Sequence, residues 1–143
     1  MTGIKRAYSE LAKQFVQSTE EEIKDYLERA RERKFKFWAN WEEVDIDEFV
    51  DRFAPHGDAP HMEDKKIVVN DEESHTQIVA DPIGYVRVLD TSRGLRKKDY
   101  LDINGVPIKT YEQRKGETDQ QFLDRKMIAS HFRIKKQKDG NNG

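Results

Sequence analysis

From Ile4 to Phe15 the apolar residues Ile4, Tyr8, Leu11 and Phe15 recur at helical spacing and predict one buried stripe. "STEEE" restarts the helix: Thr19 with Glu22 has the form of a capping box, and Glu20 and Glu21 suit the positive end of the helix dipole. Ile23, Leu27 and Ala30 continue the stripe, "RERKFK" puts basic groups mainly on the outer face, and Phe37, Trp38 and Trp41 make an aromatic anchor. A third short helix fits "DIDEFVDRF", with Asp45 as its cap and Ile46, Phe49, Val50 and Phe53 inward. "APHGDAPH", residues 54–61, then breaks the helical pattern with two Pro and one Gly.

Beyond this joint the period changes to two. "KKIVV" and "HTQIVA" read as strands joined by the polar turn "NDEES", "DPIG" as a second turn, and "YVRVL" as a third strand. After the basic loop "TSRGLRKK", the stretch "YLDINGVPIK" predicts a hairpin on Asn104-Gly105, with Pro107 on an edge or a short return. Thr118 and Gln121 form a second capping-box pattern, opening a helix to about Ala129 with Phe122, Met127 and Ile128 as apolar contacts. "SHFRIKK" closes the fold as a strand, with Phe132 and Ile134 inward. The expected architecture is α+β: N-terminal helices packed on a mostly antiparallel sheet of four to six strands. Residues 1–136 would form one domain, 1–53 as the helical layer and 65–136 as the sheet with one late helix, followed by a disordered tail, 137–143.

Length and composition narrow this picture. The 143 residues suit one domain, and a charged fraction of 38% makes much of the chain solvated surface around a core rich in aromatics. The absence of Cys removes disulfides, thiolate metal sites and cysteine nucleophiles together. No apolar run approaches ~18 residues and no signal-peptide core follows the charged N-terminus. We therefore expect no membrane association, and a cytoplasmic protein or one secreted and delivered into a target-cell cytoplasm. Charge is uneven: residues 1–64 hold 10 Lys/Arg against 16 Asp/Glu, whereas residues 65–143 hold 16 against 12. A basic half attracts phosphates despite a formal net charge of -2.

Strand alternation gives that half a chemical reading. With Phe132 and Ile134 inward, His131, Arg133 and Lys135 share the other face. With Val86 and Val88 inward, Tyr85 and Arg87 join them, and with Ile78 and Ala80 inward so do His75 and Gln77; the alternative register, with Val79 inward, removes His75 from the set. Metal-free RNA cleavage needs groups of these types: one to take the 2′-hydroxyl proton, one to protonate the leaving 5′ oxygen, and a cation for the phosphorane. Two histidines titrate in the right range, and Ser130 could hydrogen-bond phosphate or orient its neighbour. The candidate catalytic set is His131, His75, Arg87, Tyr85 and Ser130. Arg93, Arg96, Lys97, Lys98, Lys109, Arg133 and Lys135 form the candidate nucleic-acid contacts, with Arg114 and Lys115 nearby. An exposed strand and a solvated basic loop carry the same residue types without any ligand. His56 and His61 flank Asp58, but the spacing lacks the ligand density of a metal site, so neither metal nor cofactor is expected.

"GYVRVLD", "YLDINGVP" and "SHFRI" together resemble the ending of C-terminal bacterial polymorphic or contact-dependent toxin domains of the barnase, EndoU and RelE-like ribonuclease type. The preceding "EFVDRFAP" has the character of segments that lead into such domains. The resemblance covers about residues 46–135. It implies a metal-independent ribonuclease acting on RNA, tRNA included, with an acidic immunity or inhibitor protein as partner. It gives His131 an acid/base role, Ser130 a phosphate or orienting role, Arg87 a phosphate contact and Tyr85 an assisting one. "KTYEQRKGETDQQFLDRKMIA" is an insertion relative to that pattern. The alternative from another class is a non-catalytic phage or mobile-element interaction or inhibitor protein that binds through its acidic helical half. A third is a nucleic-acid binder that uses the RGLRKK loop without cleavage.

Overall fold

The computed structural model describes residues 28–29, 37–81, 83–94 and 96–135. The apolar stripe from Ile4 to Ala30, the Thr19–Glu22 cap, the "RERKFK" run and the tail lie outside them, so the layer they were expected to form is not described. In chain order the described elements are a 3-10 turn at Trp38–Asn40, β1 (Glu42–Val44), α1 (Ile46–Phe53), β2 (His61–Glu63), β3 (Lys66–Asp71), β4 (Thr76–Asp81), β5 (Tyr85–Asp90), β6 (Asp99–Tyr100), a 3-10 turn at Ile108–Thr110, α2 (Asp119–Ser130) and β7 (Phe132–Ile134).

Both expected caps on described helices form. Asp45 accepts from the N–H groups of Asp47 and Glu48 at 3.0 and 3.1 Å, starting α1. Thr118 and Gln121 close a reciprocal capping box at the start of α2. α1 then lays Ile46, Phe49 and Phe53 onto one sheet face, where they meet Ile67, Val69, Ile78, Ala80, Val86, Val88 and Phe132. The joint at 54–61 is stitched to β3: Asp58 N–H donates to Asn70 O, Asn70 N–H returns to Asp58 Oδ1, and His56 N–H donates to Asp71 Oδ2, each at 2.8 Å.

The fold is α+β, but the expectation needs three corrections. The sheet has seven strands, in the order β1-β7-β5-β4-β3-β2 with β6 also on β5, rather than four to six. It is mixed rather than antiparallel, because β1 runs parallel to β7. β1 lies within residues 1–53, which were expected to be a helical layer, and the described helices α1 and α2 sit mid-chain and late. β1 and β2 span three residues each, too short to show a period in sequence. The Asn104-Gly105 hairpin is also different. Only Gly105 is left-handed (φ 80°), Gly105 N–H donates to Asp102 O, and pairing is limited to a Leu101–Pro107 bridge. The Asp102 carboxylate explains this: it accepts from the N–H groups of Asn104 and Val106 and from the Tyr111 hydroxyl, holding an Asx-type turn in place of a ladder.

Candidate functional site

β5 shares one edge between two short partners. β7 takes its first half, pairing Tyr85 with Arg133 and Val86 with Phe132; β6 takes its second half at Leu89 and Asp90. Arg87 falls in the gap, and continuing the β7 register brings His131 level with it. Val86 and Val88 are buried in the core, so Tyr85 and Arg87 face the other way, onto a second sheet face with His131 and Arg133.

The end of α2 closes the gap. The last carbonyls of a helix lack intrahelical donors and must find others. Met127 O accepts from His131 Nδ1 at 2.7 Å, and Ser130 O accepts from Arg87 Nε at 3.3 Å. Ser130 Oγ accepts from Arg87 Nη2 at 3.3 Å, while the guanidinium lies over the Tyr100 ring, 3.3 Å from its centroid. Because a carbonyl can only accept, the His131 hydrogen sits on Nδ1 and Nε2 carries the lone pair. His131 stacks on Trp41 (centroids 4.6 Å, 22° between planes) and tilts against Tyr85 at 5.6 Å. Only 6% of the residue is exposed. Every buried side-chain nitrogen and oxygen among the described residues has a hydrogen-bond partner. Neither His131 Nε2 nor Arg87 Nη1 has one, so both atoms open to solvent.

The electrostatics follow from this enclosure. Burial, with the Arg87 charge adding to it, pushes the His131 imidazole down to about 4, so it is neutral at pH 7. Burial, then the nearby Asp81 carboxylate, pushes the Tyr85 phenol up to about 12. Burial also draws the Arg87 guanidinium below its usual range, opposed by Tyr100 and Tyr85, yet an arginine stays charged. No carboxylate pairs with Arg87 among the described residues. The carbonyl end of α2 offsets part of its charge, about half a unit by helix-dipole reasoning.

Four of the five expected catalytic residues therefore meet: His131, Arg87, Tyr85 and Ser130. Ser130, 0% exposed, is the last residue of α2 rather than the start of a strand, and His131 is the extended joint between helix and β7. His75 does not join them. Ile78 and Ala80 are inward as expected, but His75 precedes β4 in a left-handed turn (φ 56°) and its carbonyl accepts from Thr91 N–H, beyond the far end of β5. Of the expected phosphate contacts, Arg93, Arg96, Lys97, Lys98 and Lys135 are exposed. Lys109 is paired with Asp99 at 2.8 Å, and Arg133 is spent on Trp41 O at 2.9 Å. Arg114 and Lys115 are exposed, and Arg114 lies on an open groove of about 640 Å³ beside α2.

His56 and His61 turn to different carboxylates, Glu73 at 3.6 Å and Glu63 at 2.7 Å, and no group of three or more metal-ligating side chains forms among the described residues. Trp41, Tyr100 and the Met127 carbonyl were not anticipated as parts of the site; their contacts are long-range and leave no local signal. Lys66 was missed too, although the "KKIVV" alternation places it on the polar face. No described helix is long and apolar enough to cross a membrane. No protein-family model, curated protein or solved structure matches this chain.

Proposed function

We propose that this protein is a toxin-like ribonuclease domain that cleaves RNA by side-chain acid/base chemistry at the β5–β7–α2 junction. The observation that carries the reading is His131, whose Nδ1 is held on Met127 O and whose Nε2 lone pair is left to solvent, level with Arg87 across the β5–β7 register. In this mechanism Nε2 takes the 2′-hydroxyl proton while the 2′ oxygen attacks phosphorus. Arg87 holds the phosphate oxygens as charge develops on them. The bond to the 5′ oxygen breaks, leaving a 2′,3′-cyclic phosphate, and that oxygen is protonated by Tyr85 or by water. Ser130 positions the guanidinium. A protein with an acidic surface over this face is the complementary inhibitor.

The small exposed fraction of His131 favours the competing reading, a non-catalytic interaction protein whose histidine is simply core. Incubation with total RNA in chelator separates the two. Wild type should yield fragments with cyclic phosphate ends, and His131→Asn and Arg87→Ala, each checked for folding by circular dichroism, should not. Intact RNA after incubation with wild type would overturn the proposal.

A further inference from the structure

We propose that Lys66 is a second phosphate contact, flanking the group held by Arg87, so that a bound strand crosses the sheet from β7 and β5 toward β3. The inference rests on the RNA reading of this face and adds the path of the substrate. Ile67 and Val69 are buried in the core, which turns Lys66 to the second face. The pairing Ile67↔Ala80 brings Lys66 level with Asp81, and Asp81 pairs with Tyr85, which pairs with Arg133. Lys66 thus shares a row with the residues beside His131, across roughly 10 Å from β5 to β3.

Other charges on that row are occupied. Arg133 donates to Trp41 O and Asp81 Oδ1 accepts from Ile83 N–H. The cross-strand neighbour of Lys66 is Glu63, and its carboxylate is held by His61 Nε2 at 2.7 Å. Lys66 is half-buried and forms no ion pair among the described residues. A partly desolvated ammonium that makes no ion pair with the neighbouring Asp81 or Glu63 is left to take an anion brought by a ligand. Its charge already reaches His131, where it acts in the same direction as Arg87. Arg93, Arg96, Lys97 and Lys98, by contrast, leave from the opposite end of β5, after Asp90.

The test is equilibrium binding of a short 2′-O-methyl RNA, which cannot be cleaved, across a salt series. Wild type, Lys66→Ala, Lys66→Arg and Lys65→Ala, the last in the β2–β3 turn, are compared. Loss of one phosphate contact should make the log–log salt slope shallower by ~0.7 and weaken binding about eightfold at 50 mM salt. Lys66→Arg should restore the slope, and Lys65→Ala should leave it as in wild type. An unchanged slope in Lys66→Ala, or an equal loss in Lys65→Ala, overturns the role of Lys66 while leaving the RNA reading intact. Wild type that shows no salt-dependent binding overturns both. As an independent readout, NMR titration of the His131 ring should show a higher midpoint in Lys66→Ala; an unmoved midpoint also counts against the assignment.

Discussion

Protonating His131 should destabilise the protein at a pH above that at which ordinary carboxylates titrate. The ring is 6% exposed, stacked on Trp41 and pushed down to about 4, whereas in the unfolded chain it titrates near 6.5. Between those values the unfolded chain holds a proton on this ring and the folded chain does not. Each step down in pH therefore favours unfolding; the stabilisation is complete above 6.5, declines through the window, and falls no further once pH is below 4. Linkage gives a loss of about 2 kcal/mol by pH 5 and about 3 kcal/mol by pH 4 from this group alone, a large share of a typical domain's stability. Urea unfolding followed by fluorescence of Trp38 and Trp41 measures it at pH 7.5, 6, 5 and 4. His131→Phe serves as reference, keeping an aromatic against Trp41 without a titrating nitrogen. His61, raised by its hydrogen bond to Glu63, works in the opposite direction, but it is common to both proteins and cancels in the difference. The stability gap between wild type and variant should shift against wild type by those amounts. Parallel loss in the two proteins would refute a buried neutral imidazole, and with it the placement of the Nε2 lone pair.

On the ribonuclease reading proposed above, the same ring sets the pH–rate profile: cleavage should rise with a midpoint near 4 and stay level to at least pH 9, since Tyr85 holds its proton to about 12. A bell centred near pH 6.5 would show a second ordinary histidine at work. His75→Gly should leave cleavage unchanged and raise stability slightly, because φ 56° strains a side chain there; lost cleavage would return His75 to the site. Lys65→Gly should stabilise the β2–β3 turn by about 0.5–1 kcal/mol, as Asp64 (φ 50°) and Lys65 (φ 63°) form a left-handed pair without glycine; chemical denaturation reads the change. Asp102→Ala should cost about 2–3 kcal/mol by orphaning the N–H groups of Asn104 and Val106 and the Tyr111 hydroxyl, and an effect under 0.5 kcal/mol would remove Asp102 as the organiser of that turn.

What was legible in the sequence were features set within a few residues. The Asp45 and Thr118 caps, the inward set Ile46, Phe49 and Phe53, and the alternation in β3, β4 and β5 follow from spacing alone, and all are present. The same alternation brought Tyr85, Arg87 and His131 to one face. It failed at His75 because a strand rule was extended one residue into a turn, where Asp71 accepts from Ser74 N–H and the chain goes left-handed. It failed at Asn104-Gly105 because a side chain, Asp102, outcompeted the ladder for the backbone donors. The parallel β1–β7 pair joins residues about ninety positions apart and leaves no periodic trace in either segment.

Residues 109–129, which carry most of α2, set the geometry of the junction. Without α2, nothing in "SHFRI" supplies the carbonyl acceptor that fixes the tautomer of His131. Two constraints meet at this joint. The last carbonyls of α2 need donors, and Phe132, 1% exposed, must reach the core against Phe49 at 5.2 Å. Only one extended residue, His131, separates the two, so its ring is held against the helix end with Nδ1 on Met127 O. Arg87, level with it across the register, donates to the neighbouring carbonyl for the same reason. A histidine that served only as core filling would need the shape of this arrangement but not its direction. His131→Phe would then keep every property of the site, whereas a base that works through Nε2 loses its function in that variant while the stack on Trp41 survives.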